Sequence, residues 1–187
     1  MKDDKVEKEP WDSSNKAAES LKISDFGSIE QVRDMARMDR FPKTYAEARL
    51  ILSKLVNVPF VSGSGLYATL SKNSIKNSIE KILSDTGGIG SHNLKRHLLA
   101  AGNLDKLYAN AIEPWAFEMN PNKNNASLED IRRLFAPMEY EGDIAIVKIT
   151  VKEMKNPKDG SRIYTIKTLD VFLDKKIEDA STLARGS

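Results

Sequence analysis

An alternating pattern near the end of the chain, with amphipathic helical patterns before it, constrains the fold most. Residues 144–153 alternate like a β-strand, and one face is wholly apolar: Ala145, Val147, Ile149 and Val151. The turn-rich stretch 156–160 and a second alternating stretch, 162–169, complete a hairpin. Two helical patterns separated by glycines occupy most of 66–112. The combination predicts an α+β domain, with its N-terminal helices packed on one face of a small antiparallel β-sheet.

Local signals place the first elements. Capping boxes at Ser28 and Thr44 predict helices that run to about Met38 and Leu55. In the second helix a broad buried stripe is expected: Ala48, Leu50, Ile51, Leu52 and Leu55. Around a Ser-Gly turn, residues 58–61 and 66–70 are predicted to pair as short strands.

Further signals follow towards the C-terminus. Ser71 or Ser74 is expected to cap one helix and Asn103 another. Residues 118–127 are predicted to form an exposed loop. The capping-box spacing at 127–130 predicts a short helix to about Phe135, ended by Pro137.

These elements give a domain organisation of four parts. Residues 1–22 are predicted to be a disordered or loosely docked tail, which Trp11 could pin to a surface. Residues 23–45 form a helical extension, 46–172 the α+β domain and 173–187 a polar C-terminal tail.

Composition narrows the function classes. The 187 residues are 40% hydrophobic and carry a net charge of only +2, so nucleic-acid binding would depend on local clusters of charge. The chain has no cysteine and no metal-ligand spacing, so no cofactor and no metal site are expected. No secretory signal or membrane span is predicted either, and we expect a cytoplasmic location or delivery into a target cell's cytoplasm within a larger polypeptide.

The two histidines, His92 and His97, are the candidate general base and acid. Cleavage of RNA through its 2′-hydroxyl needs these two roles and a cation that stabilises the phosphorane. Residues 71–110 hold six Lys/Arg and three Asp/Glu, and the candidate cations are Lys72, Lys76, Lys95 and Arg96. Five residues of helix correspond to a rotation of about 140°, so both imidazoles face one substrate only if His92 precedes the helix. Boundary and capping roles explain both histidines equally well.

Two further candidates have a structural alternative. Ser71 precedes a helix N-terminus, where backbone amides bind phosphate, but simple capping is also consistent. Tyr164 could stack on a base or donate a proton, or it could pack across strands.

The order of these stretches resembles the phage-associated Barnase/EndoU/colicin/RelE-like nuclease domains of large polyvalent proteins and related toxins. The resemblance spans about 46–172, including the step at 108–111, and implies a metal-independent ribonuclease fold. It places Ser71, Lys72 and the helix after them on the segment that often bears an active-site histidine, where this chain has Asn77. His92 and His97 match the start of the second helical segment, and Tyr164 matches a late-strand aromatic residue.

The leading hypothesis is therefore an endoribonuclease-like domain in which His92 or His97 acts as base and acid, Tyr164 assists, and Lys76 contacts the phosphate. Ser71, Lys72, Lys95 and Arg96 would also bind phosphate. An immunity protein is a candidate partner if the domain is a toxin. One alternative is an inactive relative that binds RNA or a protein partner. Another is a structural or accessory phage protein that docks on a virion protein.

Overall fold

The computed structural model describes residues 21–76, 91–113, 118–119, 128–155, 158–160 and 162–175. A 3-10 helix, Ile23–Phe26, precedes the α-helices, which are α1 (Ile29–Ala36), α2 (Tyr45–Ser53), α3 (Ser91–Gly102) and α4 (Leu104–Ala109). The strands are β1 (Phe60–Val61), β2 (Tyr67–Leu70), β3 (Glu118–Met119), β4 (Leu128–Tyr140), β5 (Asp143–Lys155) and β6 (Arg162–Lys175). The predicted α+β class is confirmed.

The strands form one six-stranded sheet in the order β1-β2-β6-β5-β4-β3. Strand β5 pairs antiparallel with both β4 and β6, so the predicted hairpin is confirmed. Strand β2, however, runs parallel to β6, with Thr69 opposite Thr165 and Leu70 opposite Ile166. The sheet is thus mixed rather than purely antiparallel, because the long connection between β2 and β6 lets the chain return in the same direction.

Both faces of the sheet are covered, which corrects the prediction of helices on one face. All residues of β5 from Ile144 to Thr150 are buried. The predicted apolar face of β5 joins the larger core, together with Leu98 and Leu107 of α3 and α4. The opposite face packs Ile144 and Ile146 beneath Val32 of α1. A strand that is apolar on both sides must be covered on both sides.

Strand β4 replaces the helix predicted from residue 127. It runs antiparallel to β5 for 13 residues and includes Pro137, which lies opposite Ile146. Phe135 exchanges both backbone hydrogen bonds with Ile112 at the outer edge of β4, at 2.8 and 2.9 Å. Because residues two apart in a strand direct their N–H groups to the same side, Pro137 lacks its donor where no described strand lies alongside.

Two local predictions are confirmed in detail. Ser28 accepts a hydrogen bond from the backbone N–H of Gln31 at 3.2 Å, and the Gln31 side chain accepts one from Ser28 at 2.8 Å. Thr44 Oγ1 accepts from the N–H of Glu47 at 3.2 Å. The buried stripe of α2 is narrower than predicted, since Leu50 is 60% exposed. The predicted loop at 118–127 begins with β3, which pairs with β4, and residues 120–127 lie outside the described residues.

Other predictions also fall outside the described residues, among them Trp11, Asn77 and the glycine break. Strand β6 extends to Lys175, three residues into the predicted C-terminal tail. The division of the chain into four parts stays a prediction. In the described part of the chain, no helix has the length and hydropathy to cross a bilayer.

Candidate functional site

A cleft of about 660 Å³ lies between segment 37–43, helix α3 and the turn that joins β4 to β5. Its floor and walls contain apolar and charged side chains: Arg37, Met38, Phe41, Pro42, Lys43, Lys95, Leu99, Glu139, Tyr140 and Glu141. Phe41 is 68% exposed, the highest value among the exposed large apolar side chains of the described residues. The cleft is therefore a concave surface with an accessible aromatic ring.

The positively and negatively charged side chains lie on different walls of the cleft. The cations lie on segment 37–43 and on α3, while the carboxylates belong to Glu139, near the end of β4, and Glu141, in the β4–β5 turn. The guanidinium of Arg96 lies 5.6 Å from the centre of the Tyr140 ring. Burial raises the pKa of the Tyr140 hydroxyl, the charge of Glu141 raises it further, and Arg96 opposes them. The Tyr140 ring thus lies beside a cation of α3 and lines the same cleft as the two carboxylates.

Asn103 fixes segment 37–43 against the junction of α3 and α4. It occupies the N-cap position of α4, as predicted, but its side chain makes no capping hydrogen bond. Instead Oδ1 accepts from the N–H groups of Asp39 and Arg40 at 3.2 and 3.1 Å. Nδ2 donates to the carbonyls of Arg40 and Leu99 at 2.7 and 2.8 Å. Asn103 is fully buried, and these four bonds satisfy its side chain.

A bidentate ion pair and a close apolar contact support the same segment. Arg40 binds both carboxylate oxygens of Asp105, at 2.7 and 2.8 Å, and also donates to the carbonyl of Gly102 at 3.0 Å. The hydrogen bond from Arg40 lowers the pKa of the Asp105 carboxyl, although burial opposes this. The ring of Pro42 packs so close to Gly102 that a Cβ there would lie 2.6 Å from Cγ. Sequence-distant residues thus hold one wall of the cleft in place.

Helix α3 brings three of the predicted site residues together. Lys95 lines the cleft, Arg96 covers Tyr140, and His97 follows them, half-buried and not among the residues that line the cleft. His92 is the second residue of α3 and does not precede it. His92 and His97 are thus five positions apart on one helix, and the expected placement of His92 ahead of the helix is not met.

The serine and lysines after β2 form a separate group. Ser71 Oγ accepts a hydrogen bond from the N–H of Ser74 at 3.1 Å, and the two hydroxyls lie 2.9 Å apart. Ser71 thus has the capping role that was the structural alternative. Lys72 and Lys76 are exposed on the helical turn 72–76.

Tyr164 lies far from the cleft. Its hydroxyl donates to Glu153, a carboxylate that is only 1% exposed, at 3.3 Å. Along β5, ten residues separate Glu153 from Asp143, the position opposite Tyr140. At 3.3 Å per residue this corresponds to about 33 Å of strand. Tyr164 therefore does not line the same cleft as Lys95.

Around Tyr164 the structure shows charged residues that the sequence did not single out. Arg132 lies 5.6 Å from the centre of the Tyr164 ring and binds both oxygens of Glu113 at 2.8 Å. The hydrogen bond to Glu113 raises the pKa of Arg132, against the effect of burial. Arg132 was missed because its segment was predicted to be helical.

A signal for the acidic wall was present in the sequence. Glu141 and Gly142 both have positive φ, 52° and 86°, and form the two-residue turn between β4 and β5. Such turns favour glycine at the second position, and an alternating strand follows this one directly. A Glu-Gly pair before the strongest strand could therefore have predicted the hairpin and the exposure of Glu141.

Comparisons with known proteins found one family. No curated protein and no solved structure matches the chain. The family described as large polyvalent protein-associated domain 3 matches residues 40–164, more than half of the chain. The matched range contains α3, the β4–β5 turn and part of segment 37–43, and thus most of the cleft. The match supports the phage-associated part of the resemblance and does not extend to the nuclease part. The chain belongs to the large polyvalent protein-associated domain 3 family, a family of phage-associated domains.

Proposed function

We propose that this chain is a non-catalytic accessory domain of a large phage protein and that it holds a partner molecule in the cleft. The observation that carries the proposal is the exposed Phe41 on a firmly held wall. An exposed apolar ring costs solvation free energy, and ordering its backbone costs entropy. A binding site benefits from an exposed ring and from an ordered backbone, since a preorganised surface loses less entropy when its partner binds.

The distribution of the predicted catalytic residues favours binding over catalysis. A general base must reach the proton that it abstracts, and its supporting groups must converge on one substrate. Lys95 and Arg96 lie at the cleft, whereas the Tyr164 hydroxyl is hydrogen-bonded to Glu153 at the other end of β5. No described imidazole lines the cleft.

A small aromatic probe tests whether the cleft accepts a ligand. We expect indole, titrated into the full chain, to shift the methyl NMR signals of Met38 and Leu99 saturably. Leu134, a fully buried residue of β4, serves as the control signal. Phe41→Ser should weaken the effect while the spectrum stays folded. Equal shifts at all three methyl groups, or no shift at the two cleft methyls, would contradict the proposal.

A ribonuclease is the second candidate, because Lys95, Arg96 and His97 are consecutive on α3 and combine an imidazole with two cations. In this mechanism the 2′-hydroxyl of RNA gives its proton to a base and attacks the adjacent phosphorus, and the 5′-oxygen leaves with a proton from an acid as the 2′,3′-cyclic phosphate forms. His97 or His92 acts as base and acid, and Lys72 and Lys76 hold the phosphate. The candidate predicts cleavage of total RNA in the presence of EDTA, and loss of cleavage in His97→Ala or His92→Ala. RNA that stays intact from pH 5 to 8 would reject it.

A further inference from the structure

Resting on the proposed function, we infer that the cleft binds a short stretch of single-stranded RNA. Phe41 supplies an exposed aromatic ring on which an unpaired base can stack, and the half-buried ring of Tyr140, beside Arg96, lines the same cleft. Stacking of a base on an aromatic side chain contributes about 1–3 kcal/mol and tolerates any sequence. With a volume of about 660 Å³ the cleft has the size of a small-ligand pocket, so it holds only a short part of the strand.

The cationic wall fits the phosphate edge of such a strand. Arg37 and Lys43 bracket Phe41 in the sequence, and Lys95 lies on α3. Lys43 and Lys95 are exposed, so their ammonium groups can reach the phosphates. Because Arg40 and Asn103 hold the backbone between the first two cations, the wall does not have to be ordered when the strand binds.

The acidic wall fits the other edge of the strand and favours RNA over DNA. Ionised carboxylates only accept hydrogen bonds, and Glu139 and Glu141 are both exposed at the β4–β5 turn. Exocyclic amino groups of bases donate to such acceptors, and so do the 2′-hydroxyls that DNA lacks.

The two charged walls together argue against a peptide of a single charge sign as the occupant. An acidic peptide is repelled by the two carboxylates of Glu139 and Glu141, and a basic peptide by the three cations. A single RNA strand carries its negative charge on one edge and its hydrogen-bond donors on the other, which matches the separation of charge in the cleft.

Fluorescence anisotropy with a labelled RNA of mixed sequence tests the inference on the full chain. If three phosphates are contacted, the logarithm of the association constant should fall with the logarithm of the salt concentration with a slope of about −2. This corresponds to about −0.7 for each phosphate contact on a single strand. The double substitution Lys43→Glu with Lys95→Glu should weaken binding at least about tenfold, since each removed contact lowers the affinity and each new carboxylate repels phosphate. The slope should fall to about −0.7, which is the value for the one remaining contact.

A matched control changes the same total charge elsewhere. Lys54→Glu with Lys155→Glu replaces two exposed lysines outside the cleft, and affinity should stay within about twofold because screening limits distant charges. Phe41→Ser should weaken binding without changing the salt slope. A DNA strand of the same sequence should bind more weakly than the RNA.

The outcomes separate this inference from the proposed function. Equal losses in the two charge-reversal variants would overturn the inference, because binding would then reflect net charge alone. Tighter binding of DNA than of RNA would also overturn it. Saturable indole shifts at Met38 and Leu99 without RNA binding would leave the cleft as the site of a different partner and reject RNA. If neither the indole shifts nor RNA binding is observed, the inference and the proposed function are rejected together.

Discussion

Replacement of Asn103 by alanine should destabilise the domain far more than its place at a helix end suggests. The side chain makes four hydrogen bonds, at 2.7–3.2 Å, and three of them reach the backbone of Asp39 and Arg40, more than 60 residues away. Alanine keeps none of them and leaves a void, since Asn103 is fully buried. The substitution therefore removes a link between two distant segments.

The expected size of the loss follows from the number of bonds. A typical hydrogen bond contributes about 0.5–1.5 kcal/mol net, and a buried group left without its partner costs more. Four bonds give a range of about 2–6 kcal/mol. Water can reach the part-buried N–H groups of Asp39 and Arg40, so we expect a loss of about 3 kcal/mol.

Urea denaturation of the full chain, followed by circular dichroism, measures this loss as a change in the free energy of unfolding. The matched control is Asn110→Ala on the same helix, because Asn110 is half-buried and makes one side-chain bond, of 3.2 Å, to the carbonyl of Lys106. We expect the control to cost less than about 1 kcal/mol. If Asn103→Ala costs no more than Asn110→Ala, the four bonds do not stabilise the fold as argued.

Three further predictions concern the same architecture. Gly102→Ala should lower the free energy of unfolding by about 1–3 kcal/mol, because its Cβ would overlap the Pro42 ring; a gain, as expected from helix propensity alone, would contradict the contact. Asp105→Asn should lower the free energy of unfolding at pH values above the ordinary carboxyl pKa, and the loss should become progressively smaller below that pKa. Arg40 lowers the folded-state pKa, so its stabilisation is lost as pH falls through that value, and a difference in urea midpoint that is constant from pH 6 to 3 would refute this. Tyr164→Phe should cost about 1–2 kcal/mol in the same assay, since a fully buried carboxylate loses a donor, and an unchanged midpoint would show that the bond is unimportant.

Elements fixed by local signals could be predicted from the sequence. The helices after Ser28 and Thr44 begin where side-chain capping predicts, because a cap depends on residues three apart. Strand β5 was evident because its apolar residues alternate with the period of a strand, but the alternation did not show that the face with Lys148 and Thr150 is buried as well. The turn after β1 was also evident, and β1 pairs with β2 as predicted.

Elements fixed by tertiary contacts could not be predicted in this way. The segment of β4 carries a capping-box pattern and a helical spacing of apolar residues, yet pairing with β5 along its whole length outweighs that weak preference. The cleft combines residues from 37–43, from α3 and from the β4–β5 turn, and no periodicity connects segments so far apart. Of the predicted site residues, Lys95 lines this cleft and Arg96 contacts Tyr140, which also lines it. Both were predicted because the basic character of α3 is visible in the sequence.

Photochemical crosslinking tests the central claim most directly. Single-stranded RNA that contains 4-thiouridine would be irradiated with the full chain, and the crosslinked peptides would be identified by mass spectrometry. We predict crosslinks in the peptides that contain Phe41 and Tyr140, with intact RNA in the presence of EDTA. Crosslinks confined to the peptide that contains Lys72 and Lys76, or cleavage that depends on His97, would contradict the account and favour the ribonuclease.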